Sequence, residues 1–275
     1  MDIRPASTEI QPCRHGIMFW PKQDQVIGKA LMDYGEFAEG ENIVMSRYLR
    51  AGDVAVDVGA NVGTTALAMA QQVGPQGHVI ALEPQPVVAH CLAAALAANG
   101  LSQVRLLTVA AGQQSGMVKM DFSQPLSNHG TAKVASQGDS VPMIRLDDLE
   151  LARCALIKID VEGYEWQVIE GARATIGRLR PTLYFEAKRL PGTEAAMGFL
   201  LQHGYRLYWH FSFFFRADNF RNKAENAFQN LGDMNVLAVP DTAMQPADLP
   251  EIQSATEDWQ KVYVPFFQSR GLKMV

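Results

Sequence analysis

The chain has 275 residues, 48% of them hydrophobic and 19% charged, enough for one large α/β domain or two small ones with a sizeable core. A net charge of −5 with no Lys/Arg run and a pI near 5.7 argue against a nucleic-acid partner, whose phosphates call for a basic footprint. Cys13, Cys91 and Cys154 are widely spaced and form no CxxC or Cys/His cluster, which excludes a disulfide framework and a structural zinc as leading readings and points to a reduced, cytoplasmic setting.

The opening stretch lacks the apolar segment of a signal peptide, and no apolar run reaches the roughly 18 residues of a membrane span. Residues 1–50 read as an N-terminal extension with a helix near 41–50, stopped by Ala51-Gly52-Asp53. Strand and helix then alternate. Val54 to Val58 is a β-branched strand, Gly59 to Gly63 a tight turn, and Thr64 to Val73 a helix of small residues broken by Gly74-Pro75. A second apolar strand, Val79 to Leu82, ends in Glu83-Pro84, and a helix follows from Pro86, with proline in its first turn and glycine past its end. Val104 to Val109 is the third strand.

The rhythm breaks near 113–147, where strands at 117–122 and 141–146 flank a polar loop. It resumes with Ala155 to Asp160, a helix through Ile176, a strand from Pro181 to Glu186 and a helix near 193–203. Strands 205–209 and 235–239 bracket a second insertion, 210–234, and the tail 241–275 is irregular apart from one helix. Continuous apolar strands alternating with helices predict a parallel, Rossmann-like sheet covered on both faces, with ligands bound beyond the strand ends. The economical division is an extension at 1–50, a core domain at 51–240 and a tail at 241–275.

The turn Asp57-Val58-Gly59-Ala60-Asn61-Val62-Gly63 opens the first helix, and Glu83 closes the next strand, where a carboxylate can accept both hydroxyls of a ribose. Gly59 allows a close approach that a Cβ would block, and Gly63 lets the helix start near the sheet. The dinucleotide pattern G-x-G-x-x-G is not met: Asn61 stands at its second glycine and Thr64 at its third. Asp57 adds negative charge, unfavourable beside a pyrophosphate and favourable beside an ammonium. S-adenosylmethionine carries an ammonium and a sulfonium and no phosphate, so it fits the turn better than a dinucleotide.

Four stretches resemble the FkbM-type S-adenosylmethionine-dependent methyltransferases: Tyr34-Gly35-Glu36 with Glu41; Asp53 to Gly63; Leu156 to Gly163 with Glu170-Gly171-Ala172; and Asp218-Asn219-Phe220 with Glu225-Asn226. The resemblance implies a class I methyltransferase fold, a seven-stranded, mostly parallel sheet ending in an antiparallel hairpin. It also implies O-methylation of a sugar, glycan or polyketide-type metabolite. It places Gly59, Asn61 and Gly63 on the cofactor, Glu83 on its ribose and Glu36 near its methionine end, with Asp57, Thr64, Pro84 and Asp160 in the same crevice.

A neutral hydroxyl needs a general base to attack a methyl sulfonium. Asp160, Glu162 and Glu186 leave adjacent strand ends and can converge, and His129, in the polar loop, is a fourth candidate. The plainer reading of Asp160 and Glu162 is as caps of the helix near Glu165. Three convergent acids could hold Mg²⁺, but no His or further Asp accompanies them, so no metal is expected. His210 and the aromatic run Tyr208 to Phe215 are divided between core packing and an acceptor wall. Lys158, mid-strand among apolar residues, is expected at a sheet edge with no assigned role. The competing functions are a nicotinamide-dependent oxidoreductase and a non-catalytic carbohydrate- or cofactor-binding protein on the same fold.

Overall fold

The structure, a computed structural model, describes residues 7–122, 133–187 and 191–269. An antiparallel hairpin of β1 (Thr8–Cys13) and β2 (Gly16–Pro21) leads into helices α1 (Ile27–Tyr34) and α2 (Glu39–Ser46). The alternating core follows as β3 (Val54–Val58), α3 (Thr64–Val73), β4 (His78–Leu82), α4 (Pro86–Ala98) and β5 (Val104–Leu107). Next come β6 (Ala110–Ala111), β7 (Gly116–Asp121), β8 (Lys133–Val134) and β9 (Asp139–Ile144). The second half contains β10 (Leu156–Ile159), α5 (Glu165–Glu170), α6 (Arg173–Leu179), β11 (Thr182–Glu186) and α7 (Pro191–Gln202). A hairpin of β12 (Tyr205–Phe213) and β13 (Gly232–Pro240), then β14 (Glu251–Ile252) and α8 (Trp259–Ser269), end the described chain.

The main sheet runs β14-β12-β13-β11-β10-β3-β4-β5. From β11 to β5 every pairing is parallel; β13, β12 and β14 are antiparallel to their neighbours. This is the Rossmann-like sheet with its terminal hairpin, and it has eight strands where seven were expected. The added edge strand, β14, comes from the tail. The hairpin is also longer than the sequence suggests, because residues 210–213 and 232–234 pair across what reads as an insertion.

Every residue of β3 is buried, as expected of a strand with parallel neighbours on both sides and helices on both faces. Val56, Val58, Ile157 and Ile159 face one layer with Val168, Ile176 and Leu200. Ala55, Leu156 and Tyr184 face the other, under Val44 and Met45 of α2 and Met69 and Val73 of α3. The N-terminal extension is thus part of the core: Met18, Trp20, Ile27 and Leu31 pack with Ala66, Leu67 and Leu92.

Two further departures concern the middle of the chain. The single helix expected through Ile176 divides into α5 and α6 at Gly171, where a Cβ would lie 1.9 Å from the Gly112 carbonyl oxygen. Among the described residues, β6, β7, β8 and β9 form a separate sheet, ordered β6-β9-β7-β8, with its own small core of Met120, Val141 and Met143.

Candidate active site

A cavity of about 430 Å³ opens at the carboxyl ends of the parallel strands. Its floor on one side is the turn after β3. Gly59 has φ +78°, and a Cβ there would meet the Asp160 carbonyl oxygen at 1.9 Å, so both its conformation and its proximity demand glycine. Asn61 is also left-handed, at φ 49°, a conformation asparagine tolerates better than most residues. Gly63 caps α3 behind the wall: a Cβ would strike Leu92 of α4 at 2.4 Å, so this glycine sets helix packing. Thr64 lines the cavity beside Gly59 and Asn61.

Glu83 is buried, and both of its oxygens are anchored. Oε2 accepts the Asn61 N–H at 2.8 Å and Oε1 the Gln85 N–H at 2.8 Å. Burial nevertheless pushes its carboxyl up to about 7, against those two bonds and the Lys158 charge. Two fixed acceptor oxygens on the wall, with Pro84 alongside, form the geometry a vicinal diol requires.

Asp160, Glu162 and Glu186 meet as expected, each bringing a carboxylate oxygen within 4.8 Å of the others. β10 ends at Ile159 and β11 at Glu186, adjacent in the parallel ladder, which is why their acids converge. At the start of α5, Tyr164 is the N-cap, with no side-chain cap bond, and the Glu165 carboxylate accepts the Gly163 N–H at 3.0 Å. Glu162 sits at φ 56°, a strained setting of the kind that gathers at functional sites. His129 lies outside the described residues.

Other expected residues stand elsewhere. Asp57 is fully buried and is absent from the cavity lining; its Oδ1 lies 3.6 Å from the Lys158 ammonium, so its charge is balanced inside the sheet. Glu36 is absent from the cavity lining and anchors the extension, its Oε2 accepting from Arg14 Nε at 2.6 Å and from the Phe220 N–H at 2.8 Å. His210 is buried and held 2.7 Å from the Tyr184 hydroxyl, its pKa lowered by burial to about 4. Of the aromatic run, Tyr208 and Trp209 are core, and Phe214 joins Phe37 on the cavity wall, ring centroids 4.8 Å apart.

Lys158 is the main residue missed in the sequence. β10 is central, not an edge, and the side chain emerges on the face covered by α2 and α3, in register with Asp57 and Tyr184. Burial opposes its charge, but Asp160, Asp57 and Glu41 outweigh it and raise its pKa. Glu41, from α2, roofs the same space; burial raises its carboxyl to about 8, and Asn235 Nδ2 donates to Oε1 at 3.2 Å. Among the described residues the wall carries six acidic side chains, Glu41, Glu83, Asp160, Glu162, Glu186 and Asp233, of which Glu41 stays mostly protonated at neutral pH, and one ammonium, Lys158. Such a wall attracts cations and repels phosphate.

The family model for the methyltransferase FkbM domain matches residues 57–207. No functionally curated protein matches the chain. Among solved structures, an FkbM methyltransferase from Methylobacillus flagellatus is similar at 16% identity and a TM-score of 0.47, over 72% of this chain and 50% of that one. This chain therefore matches half the length of that protein. A SAM-dependent O-methyltransferase from Thermotoga maritima is similar at 12% identity and a TM-score of 0.47, over 90% and 89% of the two chains. The O-methyltransferase TomG from Streptomyces achromogenes, involved in tomaymycin synthesis and solved with SAM, is similar at 12% identity and a TM-score of 0.45, over 74% and 78%.

Proposed function

Because the chain belongs to the FkbM methyltransferase family and so uses S-adenosylmethionine, we propose that it transfers the methyl group to a hydroxyl of an uncharged sugar, glycan or polyketide-type acceptor. The acidic wall carries this reading. It matches a cofactor whose sulfonium and ammonium are positive, and it disfavours a nicotinamide dinucleotide or a phosphorylated acceptor. When bound, S-adenosylmethionine supplies an activated methyl group; the protein must align the acceptor and remove its proton.

In this reading Glu83 receives the ribose hydroxyls, and Gly59, Asn61, Thr64 and Pro84 shape the adenosyl side. Glu162 and Glu186 face the acceptor side, with Asp160 between them and the methyl donor, and one of the three takes the hydroxyl proton. Asp160 is engaged by Lys158 at 3.3 Å, and Glu162 and Glu186 are the other two candidates for the base. Phe37 and Phe214 offer ring faces to a sugar or polyketide body. Gly63, Asp57 and Glu36 support the site from behind it.

The test is incubation with trideuteromethyl-labelled S-adenosylmethionine and a panel of neutral polyols, amines and phosphorylated sugars, read by mass spectrometry. Label on a hydroxyl of a neutral acceptor is expected. Label confined to nitrogen or to phosphorylated acceptors would overturn the O-methylation reading. With an acceptor in hand, Glu186→Gln and Glu162→Gln should separate the base from its neighbour: loss of the base lowers kcat about 10²- to 10⁴-fold with S-adenosylhomocysteine affinity retained.

A further inference from the structure

Asp160 is the first residue after β10; its N–H still donates to the Val58 carbonyl oxygen at 3.0 Å, but the backbone just after it turns left-handed at Glu162 (φ 56°) and Gly163 (φ 90°), and its side chain is 44% exposed. What does reach it is Lys158, two residues earlier on the same face. The buried ammonium lies 3.3 Å from Asp160 Oδ2, 3.4 Å from the Gly59 carbonyl oxygen and 3.6 Å from Asp57 Oδ1. One cation thus spans the two strand ends that border the cofactor side of the cavity, and the fully buried Asp57 balances it from beneath.

We propose that Lys158 is a positioning residue: it pins the Asp160 carboxylate to the Gly59 turn so that this carboxylate faces the sulfonium of the methyl donor. The inference rests on the family's use of S-adenosylmethionine and not on the nature of the acceptor. Methyl donor and spent product share their adenosine and amino-acid ends; they differ in the methyl group and one positive charge at sulfur. A carboxylate held toward that sulfur favours the donor and is indifferent to the neutral thioether. The preference for donor over product therefore reports the placement of Asp160, while general loosening of the cavity affects both ligands alike.

A purely structural buried ion pair makes a different prediction, since replacing both partners by neutral groups of similar volume is often neutral for stability and leaves the surroundings unchanged. The experiment uses the double replacement Asp57→Asn with Lys158→Met, which removes equal and opposite charges and keeps the local net charge constant. A second pair, Asp57→Asn with Lys158→Gln, keeps polar atoms facing each other and guards against misfolding of the first. Calorimetric titration of each full-length protein with S-adenosylmethionine and with S-adenosylhomocysteine gives the ratio of the two affinities.

The expected result is a folded double variant whose donor-over-product ratio falls on the order of fivefold to tenfold, the scale of one misplaced charge contact. Asp160→Ala, at a partly exposed position, should lower the ratio by a similar factor with the Asp57–Lys158 pair intact. A folded double variant with the wild-type ratio would make the pair structural only and overturn the proposal. So would an unchanged ratio in Asp160→Ala.

Discussion

Glu83→Gln preserves the shape of the side chain while removing its charge and one acceptor oxygen. Two effects on stability oppose each other. The climb of the carboxyl from 4.5 to about 7 through burial penalises the ionised form by about 3 kcal/mol, at roughly 1.4 kcal/mol per tenfold, and glutamine escapes that penalty. Against this, the backbone N–H groups of Asn61 and Gln85 each hold one carboxylate oxygen at 2.8 Å, and the amide nitrogen cannot accept from one of them. The value of about 7 is already net of both bonds, so the folded glutamine protein should be at least as stable as the wild type at pH 7, by up to about 3 kcal/mol, and its melting temperature should not fall. The ribose has no such compensation. Losing one acceptor should weaken S-adenosylhomocysteine binding by roughly 10- to 100-fold.

The pH dependence adds a second signature. In the wild-type protein the Glu83 carboxyl ionises as the pH rises through about 7, and the carboxylate accepts hydroxyl donors more strongly than the acid does. Affinity should rise across that interval and level off above it, whereas the glutamine variant should lack this component. Calorimetry between pH 6 and 8 alongside thermal melts measures both quantities. Wild-type affinity in a folded Glu83→Gln protein would show that the ribose is held elsewhere and refute the assignment.

Further outcomes follow from the same geometry. Gly59→Ala places a Cβ 1.9 Å from the Asp160 carbonyl oxygen at φ +78°, so a cost of about 2–5 kcal/mol and loss of cofactor binding are expected; a melt and titration matching wild type would mean the two strand ends can part freely. Glu41 binds its proton more tightly folded, at about 8 against 4.5, so its contribution to stability is complete below about 4.5 and is lost as the pH rises through 8. Glu41→Gln should therefore flatten the fall in melting temperature between pH 5 and 8, and an unaltered slope would remove Glu41 as its source. Arg14→Ala deprives the buried Glu36 of its 2.6 Å partner and should cost about 1–3 kcal/mol in denaturant unfolding; a change within ±0.5 kcal/mol would show that Glu36 relaxes to another partner.

The β3–turn–α3 unit and the acid after β4 were legible because their signals are local. A continuous apolar strand, a glycine that only a tight turn explains and a carboxylate at a strand end all sit within one window of sequence. The meeting of Asp160, Glu162 and Glu186 was legible at one remove, through the rule that parallel strands end on one side. Lys158 was not, because a cation among apolar residues reads as an edge position unless the oxygens facing it from β3 are known, and that is a matter of register. The same limit hid Glu41, which reaches the cavity only because α2 packs across the sheet. Asp57 misled for the opposite reason: its position beside the turn is real, but Lys158 absorbs its charge. The break at Gly171 depends on the backbone of Gly112, 59 positions away in the chain.

The anchoring of the N-terminal extension bears on how the rim of the crevice is built. Tyr34 bonds the 225–227 backbone through its hydroxyl, and Arg14 bonds the Asp218 carbonyl oxygen, so the first and last thirds of the chain are stitched into one rim. Phe37, Glu41, Phe214 and Asp233 on that rim all fall outside residues 57–207, the stretch matched by the family. The matched segment thus supplies the glycine turn and the strand-end acids, and the rim opposite them is assembled from both flanks together. Replacing either flank alone would leave that rim half sewn, because each supplies the other's hydrogen-bond partners.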